Sequence, residues 1–263
     1  MQKQRYRAVF SDIDGTLLNS HHQISFKTEQ AIQRIVKQGI PFILVSARPP
    51  LAMTPYTTQL GTKNAMICYG GALILDADLQ PLYNAVIEKT DLEQLDTDLE
   101  DYANLSINHY ANLDWFSNDL NNYWTVQEGE ITGLSATAKP NHLNQVHKIL
   151  VMGDAREIKA LEDKLKPKYP QLSIHRSKDT YLEIMNKQAT KSNAIRFMEQ
   201  KLNLSAKEVI AFGDNFNDLD MLEYAGLSVA MGNAPDEIKR AAKRVTLSNN
   251  EDGIAVVLNE IFE

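Results

Sequence analysis

Asp12 and Asp14 stand two residues apart at the end of a short apolar run, Tyr6 to Phe10, and Gly15 and Thr16 follow them. A run of that length, closed by polar residues, predicts a buried strand. Residues i and i+2 of a strand project the same way, so the spacing predicts that both carboxylates converge at the strand's C-terminal end. Two acids placed together repel each other and favour a cation between them. Hard carboxylate oxygens suit magnesium. Gly15 lets the backbone turn sharply and brings its amides close to whatever sits between the acids. A polar turn or a plain cation-binding loop is the simpler reading. An EF-hand does not fit, because its loop needs a further liganding position before the glycine and a helix in front.

Two more stretches end an apolar run on polar residues, and a third places a lysine at a helix start. Ile40 to Val45 leads to Ser46-Ala47-Arg48-Pro49-Pro50. Ser46 there reads equally as a helix cap. Glu208 to Phe212 leads to Gly213-Asp214-Asn215-Phe216-Asn217-Asp218, which alone could be a solvated acidic turn. Thr190 can cap a helix through Ala194, Ile195, Met198 and Leu202, which puts Lys191 in its first turn. A cation at the positive end of a helix costs about 0.3–1 kcal/mol, a local conflict that a phosphate in front of the helix would resolve. A solvated lysine is the bland alternative.

These residues need a scaffold. Ser25 can cap a helix with Ala31, Ile32, Ile35 and Val36 on one face and Gly39 at its end. Pro49 and Pro50 suit the first turn of the next helix. A third apolar run, Ala65 to Leu75, contains Gly70-Gly71-Ala72. Strand, helix, strand, helix, strand predicts a parallel sheet with crossover helices and ligands at the strand C-terminal ends. From about Tyr83 the pattern changes. Leu92, Leu95, Leu99 and Tyr102 mark one amphipathic helix, and Ile158, Leu161 and Leu165 another. Ser106–Tyr110, Lys148–Met152, Leu172–Ser177 and Tyr181–Met185 read as strands. The α/β chain therefore predicts a parallel-sheet core, 1–82 and 188–263, with an inserted α+β domain at 83–187. Leu227–Met231, Gly232-Asn233-Ala234 and Val245–Leu247 close the sheet, and a last helix follows Asn249 to Gly253. Trp115 and Trp124 read as core, and the six histidines show no metal spacing.

Composition sets bounds. The 263 residues can bury one large core or two modest ones. A formal net charge of -7 speaks against a nucleic-acid surface, though a site can be locally basic. Cys68 is the single cysteine, lies in an apolar run, and fits a reducing, cytoplasmic setting as a buried small residue. The polar, basic N-terminus has no apolar signal core, and no stretch is long enough for a membrane span.

Asp12-Ile13-Asp14-Gly15-Thr16-Leu17 after an apolar strand resembles the first motif of the haloacid dehalogenase superfamily. Gly213-Asp214-x-x-Asn217-Asp218 matches its fourth motif in full, and the position and size of the inserted segment resemble the C2-type cap of the Cof-like phosphatases. The resemblance implies Asp12 as a nucleophile that becomes aspartyl-phosphate and Asp14 as the acid/base for the leaving group and then water. It implies hydrogen bonds from Ser46 to the transferring phosphoryl group, and it aligns Arg48 with the arginine of a Thr-Gly-Arg version of the second motif, a phosphate-binding position. Ala47 replaces that glycine, Gly70 an asparagine of many relatives, and Ser192 the glycine that usually follows Lys191. The same resemblance implies that Lys191 neutralises Asp12 and the phosphoryl oxygens, that Asp12, Asp14 (through its main-chain carbonyl) and Asp214 hold Mg2+, that Asn217 contacts the phosphoryl group, and that Asp218 braces Lys191 or a metal-bound water. Gly15 and Thr16 support the loop. The implied activity is a magnesium-dependent phosphatase for small phosphorylated metabolites, with the inserted domain choosing among sugar phosphates, nucleotides and phosphorylated cofactors. The expected protein is a monomer or small homo-oligomer with no nucleic-acid or membrane partner. A sugar phosphomutase would show isomerisation in excess of phosphate release, and a non-catalytic phospholigand sensor would bind without turnover.

Overall fold

β1 (Ala8–Ser11) is buried along its whole length, as a central strand of a covered parallel sheet must be. A computed structural model describes residues 6–262; the reading of a polar, signal-free N-terminus falls on residues 1–5, outside those described. The chain leaves β1 through a tight turn in which Leu17 and Leu18 N–H both donate to Ile13 O. It then enters α1 (Phe26–Lys37), capped by Ser25, whose hydroxyl accepts from Thr28 N–H. Ala31, Ile32 and Ile35 are buried, while Val36, expected on the same face, is only half-buried.

β2 (Phe42–Leu44) lies parallel to β1. Pro49 and Pro50 do not open the next helix. Pro50 starts a short 3-10 turn, Pro50–Ala52, and α2 (Thr54–Leu60) begins later, with Pro55 in its first turn. Two adjacent prolines lack amide donors, and each disfavours a helical conformation in the residue before it. The third apolar run also departs from expectation. β3 (Met66–Cys68) touches the parallel sheet through a single parallel bridge, Val45 with Ile67. Gly70 and Gly71 then reverse the chain at φ +62° and +109°. The chain returns antiparallel as β4 (Leu73–Leu75), and β5 (Pro81–Asn84) completes a three-stranded sheet.

Next come α3 (Lys89–Glu100), β6 (Ser106–Ala111), β7 (Asp114–Ser117), α4 (Tyr123–Thr132), β8 (Thr137–Ala138), β9 (Val146–Met152), α5 (Ala155–Lys168), β10 (Leu172–Lys178) and β11 (Tyr181–Asn186). Their six strands form one sheet in the order β10-β11-β9-β6-β7-β8. Leu92, Leu95 and Leu99 of α3 and Ile158, Leu161 and Leu165 of α5 share a buried cluster with Ile107, Ile149, Val151, Leu182 and Ile184 of the sheet. Trp115 is core, stacked on Tyr110 with ring centroids 5.8 Å apart, whereas Trp124 is half-buried. His109 and His147 are buried as well, each with a polar partner, Asp96 and Asn84.

The chain then completes the first sheet through α6 (Lys191–Leu202), β12 (Val209–Gly213), α7 (Leu219–Tyr224), β13 (Leu227–Ala230), α8 (Asp236–Ala241), β14 (Arg244–Val245) and α9 (Gly253–Phe262). Its order is β14-β13-β12-β1-β2, all parallel. The chain runs outward from β1 on one side and from β12 on the other. The two strands pair with Ser11 beside Phe212, so their C-terminal ends form a topological switch point, the crevice where such sheets bind ligands. The described chain divides into two units. One comprises the residues up to Arg48, Met53–Leu82 and those from Thr190 on; the other comprises Pro49–Ala52 and Tyr83–Ala189. Among the described residues no helix is long and apolar enough to cross a membrane.

Candidate active site

Asp12 is the first residue beyond β1, and its N–H donates to Phe212 O at 3.0 Å, which anchors it to the end of β12. Its side chain is buried. Lys191 Nζ donates to Asp12 Oδ1 and to Asp218 Oδ1, each at 2.6 Å, and is itself buried. Asp218 uses its other oxygen to accept from the N–H groups of Asp214 and Asn215, at 2.9 and 3.0 Å. That pairing closes the turn after β12 and carries Asp214 inward. Asp214 Oδ1 accepts from the Thr16 hydroxyl at 2.8 Å. Gly15 is required by this approach: its φ is +80°, and a Cβ there would lie 2.3 Å from Asp214 Oδ2. Carboxylate oxygens of Asp12, Asp214 and Asp218 all fall within 4.8 Å of one another.

Lys191 leaves the helix end for these acids, and no phosphate is needed to explain it. Thr190 caps α6 by accepting from Asn193 N–H, and Asp220 Oδ2 accepts from Ser192 N–H at 2.8 Å. The positive helix end is thus met by a carboxylate from α7. Gly71 makes room, because a Cβ there would lie 2.2 Å from Thr190 O.

Three carboxylates against one ammonium leave an excess of negative charge in a desolvated place. Burial pushes the Asp12 carboxyl well above the usual range, and the Asp218 charge adds to the rise while Lys191 opposes it. Burial also raises Asp214 to about 6, against the Thr16 hydrogen bond. Burial alone would lower Lys191, but the charges of Asp12 and Asp218 outweigh it and hold the ammonium above its ordinary value. An all-oxygen donor set whose own charges repel fits a hard divalent cation such as magnesium.

Not every predicted site residue joins this cluster. Asp12 and Asp14 were expected to converge as i and i+2 of a strand. β1 ends at Ser11, so the strand period stops before them. Asp12 turns inward, and Asp14 sits half-exposed on the turn, where Arg48 grips it through Nε–Oδ2 at 2.7 Å and Nη2–Oδ1 at 2.6 Å. The third clustered carboxylate is that of Asp218. Arg48, expected on phosphate, is therefore engaged with Asp14. Ser46 is buried at the end of β2, and its hydroxyl accepts from Arg48 N–H at 3.2 Å. Asn217 is exposed on the 3-10 turn Phe216–Asp218. Burial pushes the Cys68 thiol far up, which fits an inert core residue.

Sequence reasoning missed several supports. Asn233 Nδ2 donates to Gly15 O and Asn249 Nδ2 to Leu18 O, each at 2.8 Å, and Asn249 N–H donates to Asn233 Oδ1. These two asparagines brace the turn that carries Asp14. Tyr56 hydroxyl accepts from Arg48 Nη1 at 3.3 Å. Asn233 had a legible signal, since like the acids it follows a strand of the parallel sheet. Tyr56 and Asp220 had none.

A family model described as haloacid dehalogenase-like hydrolase matches residues 9–258. A Haemophilus influenzae protein, named only provisionally as a phosphatase, is 48% identical, with 98% of each chain covered. A Bacillus subtilis protein named 5-amino-6-(5-phospho-D-ribitylamino)uracil phosphatase is 27% identical, over 95% of this chain and 96% of its own. Among solved structures, a haloacid dehalogenase-like hydrolase from Bacteroides thetaiotaomicron aligns with a TM-score of 0.90 at 28% identity, covering 98% of this chain and all of that one.

Proposed function

Since the chain belongs to the haloacid dehalogenase-like hydrolase family, we propose that it is a magnesium-dependent phosphatase of small phosphorylated metabolites, working through an aspartyl-phosphate on Asp12. The observation that carries this reading is the buried contact of Lys191 with Asp12 and Asp218 inside a cluster of three carboxylates. A structural ion pair needs one acid per base; the surplus acids suit a cation, and that cation together with Lys191 would offset their repulsion of an anionic substrate.

Asp12 and Asp214 would hold the magnesium ion, with the Asp14 main-chain carbonyl that the family pattern adds. Bound there, the ion supplies positive charge against the phosphoryl oxygens. Lys191 supplies the protein's own share of that charge and keeps Asp12 oriented. An Asp12 oxygen attacks phosphorus, and the bond from phosphorus to the ester oxygen breaks. Asp14 gives its proton to that oxygen, and the alcohol leaves. Water then attacks the phosphorus of the aspartyl-phosphate, Asp14 takes a proton from it, and inorganic phosphate departs as Asp12 is restored. Ser46 and Asn217 hold the phosphoryl oxygens. Positioning and fixed charge provide most of the acceleration in such transfers.

The inserted unit selects the substrate, from sugar phosphates, nucleotides or phosphorylated cofactors. The name of the Bacillus subtilis relative, a phosphorylated ribitylamino-uracil, supports that size and polarity. We place the enzyme in the cytoplasm, as a monomer or small homo-oligomer without nucleic-acid or membrane partners. The test is magnesium-dependent phosphate release across a panel of such esters, with Asp12→Asn alongside. Release by the natural protein and none by the variant is expected. Sugar isomerisation without net release, or binding without turnover, would replace this reading by a mutase or a sensor.

A further inference from the structure

The sequence pattern sends Arg48 to the phosphoryl group, but its guanidinium is turned to a carboxylate. Nε and Nη2 donate two parallel hydrogen bonds to the two oxygens of Asp14, at 2.7 and 2.6 Å. A fork of this kind fixes both the place and the plane of a carboxylate, which a single donor cannot do. The fork is itself held. Arg48 N–H donates to Ser46 Oγ, its carbonyl accepts from Tyr69 N–H at 3.1 Å, and Nη1 donates to the Tyr56 hydroxyl. The guanidinium also lies 5.5 Å from the centre of the Tyr56 ring. Asp14, in contrast, is 50% exposed on a turn, and among the described residues no side chain other than Arg48 bonds its carboxylate. Burial would weaken the guanidinium's charge, yet the Asp14 contacts raise its pKa above the ordinary value.

From this geometry we infer that Arg48 is a positioning residue for Asp14 and acts on the reaction through it, not through the phosphoryl group. The inference rests on the reading of Asp14 as the acid and base. The form that Arg48 grips is the carboxylate that remains once Asp14 has given its proton to the ester oxygen. Fixing the place and plane of that carboxyl aims it at the ester oxygen in the first half of the reaction. In the second half it keeps the same carboxylate in place while Asp14 takes a proton from water. No further reactant is needed.

The experiment compares Arg48→Ala and Arg48→Lys, each alone and combined with Asp14→Asn, in the full chain with magnesium. Steady-state rates are taken on an alkyl ester, glycerol phosphate, and an aryl ester, p-nitrophenyl phosphate. An alkoxide needs a proton to leave, whereas nitrophenolate departs as a stable anion. Arg48→Ala should lower kcat on the alkyl ester by roughly 100-fold, the low end of acid–base assistance, and on the aryl ester far less. KM should stay within about threefold, because uniform substrate binding is untouched. Arg48→Lys should recover little, since an ammonium lacks the fork. In the Asp14→Asn background, adding Arg48→Ala should change kcat by less than about twofold, the mark of two residues acting as one unit. A raised KM with kcat kept, full recovery by lysine, or losses that multiply in the double variant would each overturn the proposal and return Arg48 to phosphate. If Arg48→Ala does not fold, Arg48→Met, which keeps the stem, carries the same comparison. A natural protein inactive on both esters would overturn the acid–base reading beneath it and the proposal with it. An active natural protein with multiplying losses overturns the role of Arg48 alone.

Discussion

Both units of this chain bury polar groups, but they do so on different terms. In the inserted unit several buried groups satisfy one another, although His109 Nδ1 has no partner among the described residues. Asn108 donates to Ser106 Oγ and Leu150 O and accepts from Trp115 Nε1 at 2.8 Å. The Ser106, Thr125 and Ser117 hydroxyls form a chain at 2.7 and 3.1 Å. Lys148 faces Glu183, one charge against one. At the ends of β1 and β12, three carboxylates face a single ammonium. Burial of polar atoms is therefore no sign of function by itself. A satisfied network specifies a fold, whereas an unbalanced one is held in place at a cost and waits for a ligand.

Removing a member from each network separates the two cases. Asp12→Asn should lose phosphate release by at least about a thousandfold, as loss of a nucleophile does. The same variant, freed of magnesium, should melt higher than the natural protein, by roughly 2–4 °C for about 1 kcal/mol of relieved repulsion. Calorimetry and a phosphate assay on one preparation check both. An Asp12→Asn protein that melts lower would mean that the cluster is a stabilising ion network and no strained site. Asn108→Leu should do the reverse. It takes the hydrogen-bond acceptor from buried Trp115 Nε1 and should cost about 1–3 kcal/mol, with residual activity following the folded fraction.

Magnesium sharpens the contrast. At a hundredfold its Kd it should stabilise the natural protein by about 2.7 kcal/mol, and Asp214→Asn should lose most of that gain. An equal gain in Asp214→Asn would place the ion elsewhere. Amide hydrogen exchange reads where the protection appears, and it should appear around β1 and β12 and not in the sheet of β6 and β9.

Much of this was legible in the chain because both sheets obey strong local rules. The helices α3 and α5 were written in their leucine and isoleucine spacing, and the strand ends in apolar runs closed by Asp12, Ser46 and Asp214. Local rules failed where one residue's geometry depends on a distant one. Residue spacing counted Asp14 as a strand residue; the strand stops at Ser11, and which way Asp14 then turns depends on Arg48, 34 residues on. The lysine at the start of α6 looked like a conflict until Asp220 and two acids met it. Gly70 and Gly71 announced a turn, but not that the run they divide would fold back on itself.

Acid separates the two units once more, through His147. This ring is fixed as a neutral tautomer, since Nδ1 accepts from Asn112 N–H at 3.2 Å and Nε2–H donates to Asn84 Oδ1 at 2.8 Å. A second ring proton would face an N–H. Burial lowers its pKa to about 4 in the folded state, from 6.5. Between those values the unfolded chain binds a proton that the folded one refuses, so stability is full above about pH 6.5 and falls as pH drops toward 4. The loss should reach about 2–3 kcal/mol from this ring. Asp214 slopes the other way. Its folded value of about 6 exceeds the unfolded 3.8, so in metal-free protein acid relieves the carboxylate cluster over much of the same window. Hydrogen exchange at pH 7 and 4.5 with a chelator should show protection of β6 and β9 falling more than protection of β1 and β12. His147→Gln should flatten the first response and leave the second. Equal losses in both sheets, with or without His147, would mean that the two networks respond to acid alike and that charge balance does not distinguish them.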